Sequence, residues 1–399
     1  MKTIREKIIT LARSENNPLR AAFLFGFASL SSWMPVFNMW LEDCGLKGTQ
    51  IGYVAAIPWI TMLIVQPLWG IFADKYGKLR SFRISVITAI LIFSLFPFIG
   101  SGIVPIALMT LTLALFNNPV LPLLDSMALD HIDERQNISY SNIRFWGAPG
   151  YGLGAVLTGW LIPVFGIKVA FFTAALFLVL ALLSLQWFAP AKVKRKGIDL
   201  EFKNLAHILP DKILLVFLFV IIVVSIGQSA ITFFLSLYMR EIGASSRIIG
   251  TAIGVQGFSE LPFYFIGAWL LYRMKPEIVV TIAIFATAIR LFLYSINSNP
   301  NLVIFIETMN GMTWTLLWIA SVEYINKLIP AKWRTTGQSL LWAAYFGAGA
   351  IFGNVISGRL YETMPMQRVY AINSFMIIII AVISVITILI NHRKKVNNV

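Results

Sequence analysis

Apolar residues run along this chain in blocks of about 20, each closed by a short polar turn carrying glycine, proline or charge. An α-helix needs about 20 apolar residues to cross a hydrocarbon core roughly 30 Å thick. Twelve such spans follow one another: 19–41, 49–73, 82–100, 103–129, 143–165 and 167–189, then 213–239, 248–272, 278–296, 301–326, 336–361 and 368–390. The pattern predicts an all-α polytopic membrane protein of twelve transmembrane helices in two six-helix halves. Its divisions are an N-terminal bundle over 1–189, a central cytoplasmic loop over 190–212 and a C-terminal bundle over 213–399.

Composition agrees. Of the 399 residues, 58% are hydrophobic and 13% charged, against roughly 45–50% and 25% in soluble domains, which excludes an ordinary soluble enzyme. The single cysteine, Cys44, excludes an internal disulfide and a multi-cysteine metal site. His131, His207 and His392 are scattered over expected loops and tails, so no metal or other cofactor is expected. The net charge of +14 would suit nucleic-acid binding, but its distribution argues otherwise. With both termini on one side, 24 of the 32 Lys and Arg residues fall on that side, five on the other, and three within spans. The positive-inside rule then puts both termini in the cytoplasm. The first apolar run, Leu19 to Leu41, is too long for a signal peptide and lacks a cleavage site, so it is read as a retained span.

The halves look like a diverged duplication. Gly150, Gly154, Val156, Gly159 and Leu161 recur 199 positions later as Gly349, Gly353, Val355, Gly358 and Leu360, and Arg135 and Arg334 keep the same offset. Small residues four apart let helix backbones approach closely in a bilayer. Tight packing and sliding during a conformational change are compatible readings of these faces. Pro149 removes one backbone hydrogen bond and is expected to kink span 5.

A charge in the hydrocarbon costs roughly 2.5–3.5 kcal/mol on insertion scales, so each one retained needs a reason. Five lie well inside spans, Asp125, Arg144, Glu260, Arg290 and Glu307, while Glu323 and Arg359 lie near span ends and are expected to snorkel to the interface. Asp125 and Arg144 stand at similar depth on neighbouring spans and can pair. Arg290 and Glu307 also match in depth, with Glu260 some 9 Å deeper at about 1.5 Å rise per residue. One arginine cannot neutralise two carboxylates, which leaves a surplus acid able to exchange a proton. A proton relay is the preferred reading; static ion pairs that only fix helix packing are the alternative. Asn118, Asn310, Gln228 and Gln256, with Trp33, Tyr151, Trp314, Trp318 and Tyr345, line the same spans. Amides bind hydroxyls and aromatic faces stack on rings, although most such Trp residues pack or sit at the interface.

The loop after span 2 reads Gly70-Ile-Phe-Ala-Asp74-Lys-Tyr-Gly77-Lys78-Leu-Arg80. It closely resembles the signature loop of the major facilitator superfamily, a glycine followed by an acid, a glycine and basic residues. Gly267, Arg273 and Lys275 keep part of that pattern in the second half, without the acid. The resemblance implies the major facilitator fold and a cytoplasmic gate at Gly70, Asp74, Gly77, Lys78 and Arg80; a purely structural loop is the alternative. Within the superfamily, Trp33-Met-Pro-Val-Phe-Asn-Met-Trp-Leu41, Gln66-Pro-Leu-Trp-Gly70, Arg144-Phe-Trp-Gly147 and Gly358-Arg-Leu-Tyr361 resemble the lactose permease-like oligosaccharide:proton symporters and the phenylpropionate permease-like group. That resemblance implies sugar binding at Asp125, Arg144 and Tyr151 and proton coupling at Glu260 and Arg290. Span 10 departs from the group, with Glu307, Asn310 and Thr313 where its members carry a lysine, a histidine and an acid.

The reading is a non-enzymatic, proton-coupled symporter that imports a small hydroxylated solute, a sugar or oligosaccharide, by alternating access. Its expected substrate-binding residues are Asp125, Arg144, Tyr151, Asn118 and Asn310, and its proton-coupling residues Glu260, Arg290 and Glu307. An efflux antiporter for amphipathic or aromatic compounds is the alternative, and a non-transporting receptor or scaffold is disfavoured by the buried charges. The absence of a phosphate-binding Gly-x-x-x-x-Gly-Lys-Ser/Thr loop argues against direct ATP drive. Expected partners are the solute, protons and the lipid of a bacterial inner membrane, with no nucleic acid and the protein a monomer.

Overall fold

The computed structural model describes residues 16–135, 140–186, 188, 212–330 and 333–397. Most of the predicted central loop lies outside the described residues. Helices stand at all twelve predicted spans. Spans 1, 2 and 3 are Asn17–Asp43, Gly48–Tyr76 and Lys78–Leu95, the last followed by a 3-10 turn over Phe96–Phe98. Span 4 is Ile103–Asn117 continued by Val120–Arg135, span 5 is Tyr140–Arg144 continued by Gly147–Phe165, and span 6 is Val169–Ser184. Spans 7, 8 and 9 are Lys212–Glu241, Ser246–Arg273 and Pro276–Ile296. Span 10 is Pro300–Glu307, a π-helical turn over Gly311–Thr315, and Leu316–Leu328. Span 11 is Arg334–Trp342, a π-helical stretch over Ala343–Gly349, and Ala350–Thr363; span 12 is Met366–Asn397.

Among the described residues, nine spans are long and apolar enough to cross a membrane, and ten with span 10, whose two parts meet at 42°. The other two are Val169–Ser184, of 16 residues, and Ser246–Arg273, whose apolar run is interrupted by Gln256, Ser259 and Glu260. Large apolar side chains such as Ile64, Phe98, Val104, Phe265 and Phe375 are exposed on the protein. So much exposed apolar surface is suited to a hydrocarbon solvent rather than water. No strand occurs among the described residues.

Two departures from the expected helices have local causes. Span 5 parts at Phe145–Trp146, and Pro149, which has no N–H to give the Phe145 carbonyl, lies four residues on. The Phe145 carbonyl accepts instead from Ala148 N at 3.2 Å, a tighter turn. His131, expected in a loop, sits inside the helix Val120–Arg135 and is buried, with Nε2 2.9 Å from Asn16 Oδ1. The helix of span 4 continues to Arg135, past the end of its apolar run, through the mostly polar residues 130–135.

The chain divides into two compact units: residues 1–36 with 61–197, and residues 37–60 with 198–399. In the first, the glycine face of span 5 lies on span 1. A Cβ at Gly150 would overlap the Leu24 carbonyl, and one at Gly154 the Ala28 carbonyl. Span 6 is tied to span 1 by Ser29 Oγ, which donates to Ala174 O at 2.9 Å, and Phe96 stacks on Phe171 with centroids 4.8 Å apart.

In the second unit, the repeated glycines make the equivalent contact: Gly349 and Gly353 lie against Ser225 and Ser229 of span 7. The segment 37–60 packs here through glycines as well, Gly48 and Gly52 against Gly358 and the Asn354 carbonyl. Arg240 Nη1 donates to Glu42 Oε2 at 2.9 Å and to Asp43 Oδ1 at 2.8 Å. Spans 1 and 7 end in the same cap. Gly45 and Gly243 both have φ +83, and the next N–H bonds five residues back, Leu46 to Leu41 at 3.1 Å and Ala244 to Met239 at 2.8 Å. Only glycine adopts that backbone without strain, which explains its place at both helix ends.

Candidate functional site

Among the described residues, each unit holds a charged group at sites the sequence singled out. In the first unit, Arg144 closes the short helix Tyr140–Arg144 and Asp125 lies on span 4, with Arg144 Nε 3.5 Å from Asp125 Oδ1. Both side chains are about one-third exposed, at 37% and 35%. Tyr140 OH donates to Asp125 Oδ1 at 2.6 Å. The Arg144 guanidinium lies over the Phe27 ring, 4.2 Å from its centroid, and 5.7 Å from that of Phe23. Gly147 makes room for it, because a Cβ there would come within 2.8 Å of Arg144 Nη1. The break in span 5 thus puts Arg144 on a short helix of its own, held by cation–π contact. Asn118 is half-buried at the join between the two helices of span 4, and Tyr151 half-buried in the second helix of span 5.

Of the stretch 70–80, expected to be a loop, only Gly77 lies outside helix, at φ +93 between spans 2 and 3; residues 70–76 end span 2 and residues 78–80 begin span 3. Gly70, Asp74, Gly77 and Arg80 are exposed. Lys78 pairs with Asp130 of span 4, Nζ to Oδ2 at 2.5 Å. The start of span 3 is thereby fastened to the helix that carries Asp125, five residues further along it.

The second unit holds the tighter group. Arg290 and Glu307 are both fully buried, and Arg290 Nη2 donates to Glu307 Oε2 at 2.5 Å. Tyr294 OH donates to the other carboxylate oxygen, Oε1, and accepts from Arg290 Nε at 3.1 Å. Arg290 Nη1 donates to Asn310 Oδ1 at 2.9 Å and to Thr313 Oγ1 at 2.8 Å. Asn310 Nδ2 in turn donates to Glu260 Oε1 at 3.1 Å. Glu307 is therefore the directly paired acid, and Glu260, half-buried, is joined to the guanidinium through an amide.

The bend of span 10 makes this possible. Glu307 ends the first helix, and Asn310 leads into the π-helical turn. Non-helical backbone at membrane depth is tolerated where it is buried in protein or lines a cavity. Gly311 admits the close approach of span 8, since a Cβ there would overlap the Phe263 ring. Its N–H reaches Ser259 Oγ at 3.2 Å.

Sequence reasoning missed Tyr294 and Tyr140. Tyr294 lies four residues after Arg290, the spacing that puts two side chains on one helix face, so periodicity could have found it. Tyr140 lies before the predicted start of span 5. Phe27 carried no signal beyond being one aromatic among many.

Paired charges buried at a broken helix, among apolar helices, mark a candidate functional site of a membrane protein. A model of the MFS_1 like family matches residues 17–372, and the chain belongs to that family. It is a multi-pass membrane transporter of the major facilitator type. It is similar to the maltose permease of Geobacillus stearothermophilus, with 25% identity over 380 residues that cover 94% of this chain and 93% of that protein. The probable 3-phenylpropionic acid transporter of Escherichia coli (strain K12) is 20% identical over 350 residues, covering 84% and 88%. A crystal structure of the nucleoside transporter NupG superposes with a TM-score of 0.80 at 17% identity, covering 93% of this chain and 98% of that one. At that identity the likeness is one of fold.

Proposed function

We propose that the protein is a proton-coupled symporter that imports a small hydroxylated solute, a sugar or oligosaccharide, by alternating access through a bacterial inner membrane. The observation that carries this reading is the fully buried Glu307–Arg290 pair, extended through Asn310 to the half-buried Glu260. A buried ion pair is weak evidence for stability, because desolvation offsets its Coulombic gain. A buried ion pair linked through an amide to a second acid gains a reason to persist if one of the acids exchanges a proton during the transport cycle. Asn310 then reports occupancy between the acids, because its amide donates to Glu260 while its oxygen accepts from Arg290.

Solute binding is assigned to Asp125 and Arg144 with Asn118, Tyr151 and Asn310. A carboxylate and a guanidinium side by side accept from and donate to vicinal hydroxyls. Similarity to a maltose permease supports a sugar. Gly70, Asp74, Gly77, Lys78 and Arg80 are assigned to a cytoplasmic gate, which the Lys78–Asp130 pair supports. The basic residues of one face support cytoplasmic termini, and the working unit is taken as a monomer, divided as 1–189, 190–212 and 213–399.

The test is uptake by energised membrane vesicles of radiolabelled maltose, uridine and 3-phenylpropionate, with and without an imposed inward proton gradient. Gradient-dependent maltose uptake that is lost in Glu307→Gln supports the assignment. Uptake that ignores the gradient rejects symport.

A further inference from the structure

Aromatic rings gather in the second unit around the two π-helical segments. A π turn shifts the side-chain face by one residue and loosens the local backbone bonds, and such turns occur mostly at functional sites. Here the loosened carbonyls have partners on span 7. Gln228 Nε2 donates to Thr313 O at 2.7 Å, and Ser225 Oγ donates to Tyr345 O at 2.7 Å. Gln228 and Ser225 are three residues apart on one helix face, and Gly349 lets Ser225 close on span 11.

The two turns aim Trp314 and Phe346 at each other, with centroids 5.7 Å apart. Trp342 stacks on Phe346 at 4.5 Å and 30°, and Trp59 stacks on the same ring at 5.6 Å and 14°. These are not core rings: Trp342 is 44% exposed, and Trp314, Phe346 and Trp59 are half-buried. The set is also wired to the charged group, because Thr313, beside Trp314, accepts from Arg290. Rings that only met lipid would need neither distorted turns nor two side-chain clamps.

We propose that Trp314, Trp342, Phe346 and Trp59, held by Gln228 and Ser225, form a stacking subsite for the apolar face of a sugar ring. This rests on the reading of the solute as a sugar. The C–H face of a pyranose stacks on an aromatic plane while its hydroxyls turn to polar groups at the edge. Phe346 is itself stacked by Trp342 and Trp59, and Trp314 by Trp318, so the planes left to a sugar are the outer ones of Trp342 and Trp59, one for each ring of a disaccharide. Ser225 and Gln228 are positioning residues.

The test is proteoliposome uptake of maltose and of glucose, with and without a proton gradient, by wild type, Trp342→Ala, Trp342→Phe, Phe346→Ala and Ser225→Ala. The proposal expects the alanine variants at the rings to raise KM for maltose about tenfold, the effect of roughly 1.4 kcal/mol of lost stacking, with the maximal rate kept and glucose little affected. Trp342→Phe should recover most of the affinity, and Ser225→Ala should move KM in the same direction. Unchanged KM in the ring variants, with uptake still proton-coupled, overturns the subsite and leaves symport standing. Ring-dependent KM without gradient dependence overturns symport and leaves the subsite. Wild-type transport of 3-phenylpropionate but no sugar overturns the sugar assignment of both.

Discussion

Asn310 joins Glu260 to Arg290: its amide nitrogen donates to Glu260 Oε1 at 3.1 Å and its oxygen accepts from Arg290 Nη1 at 2.9 Å. An amide is the side chain suited to this place, since it serves an acid and a base at once without a charge of its own. Asn310→Leu should uncouple the two acids. Solute-driven proton uptake is expected to fall at least tenfold while solute binding, measured by equilibrium dialysis with maltose, weakens less.

Arg290→Leu leaves Glu307 buried without its partner, a loss of about 3–5 kcal/mol for such pairs. The detergent-solubilised protein should melt at lower temperature. The double change Arg290→Leu with Glu307→Leu should recover most of that stability, and thermal unfolding followed by circular dichroism checks it. A merely structural pair would also recover transport; the proton-coupled reading expects the double variant to stay inactive.

Arg290→Lys is not a conservative change here. Its guanidinium reaches Glu307, Tyr294, Asn310 and Thr313 together, whereas a lysine ammonium has three donors and no planar fork. Maximal uptake is expected to fall at least tenfold in vesicles, with expression near wild type.

Asp125→Asn and Tyr140→Phe separate binding from positioning in the first unit. Asp125→Asn removes the acceptor charge beside Arg144 and should raise KM for the solute by about tenfold, in line with one charge-assisted hydrogen bond. Tyr140→Phe removes the 2.6 Å bond to Asp125 but leaves both charges in place, and should raise KM less. Initial-rate uptake kinetics measure both.

Gly150→Ala and Gly349→Ala test the repeated small-residue faces. Each new methyl would meet a neighbouring helix, the Leu24 backbone or the Ser225 side chain. Overpacking costs typically about 1–3 kcal/mol. Lower melting temperatures are expected in both, more at Gly150, where the obstacle is backbone that cannot rotate away.

The helices at the predicted spans were legible because a bilayer demands long apolar runs, although among the described residues only nine, or ten with span 10, are long and apolar enough to cross a membrane. The shared depth of Arg290 and Glu307 followed from helix rise alone. The 199-residue offset of the glycines was legible too, and Gly150 and Gly349 lie on spans 1 and 7 in corresponding fashion. The break of span 10 at Glu307–Gly311 was not legible, since no proline marks it; hydrogen bonds from spans 7, 8 and 9 sustain it. The π-helical turns were equally hidden. They depend on Gln228 and Ser225 taking up carbonyls from helices 85 and 120 residues away. Tyr294 was overlooked because a tyrosine in an apolar span reads as packing until its hydroxyl is placed against Glu307.

The most direct measurement is the external pH of a lightly buffered suspension of de-energised vesicles when maltose is added. Wild-type protein should alkalinise the medium in step with maltose entry, and Glu307→Gln should abolish the pH change. Maltose entry with no pH change in wild type, or an undiminished change in Glu307→Gln, would contradict the role given to the buried pair.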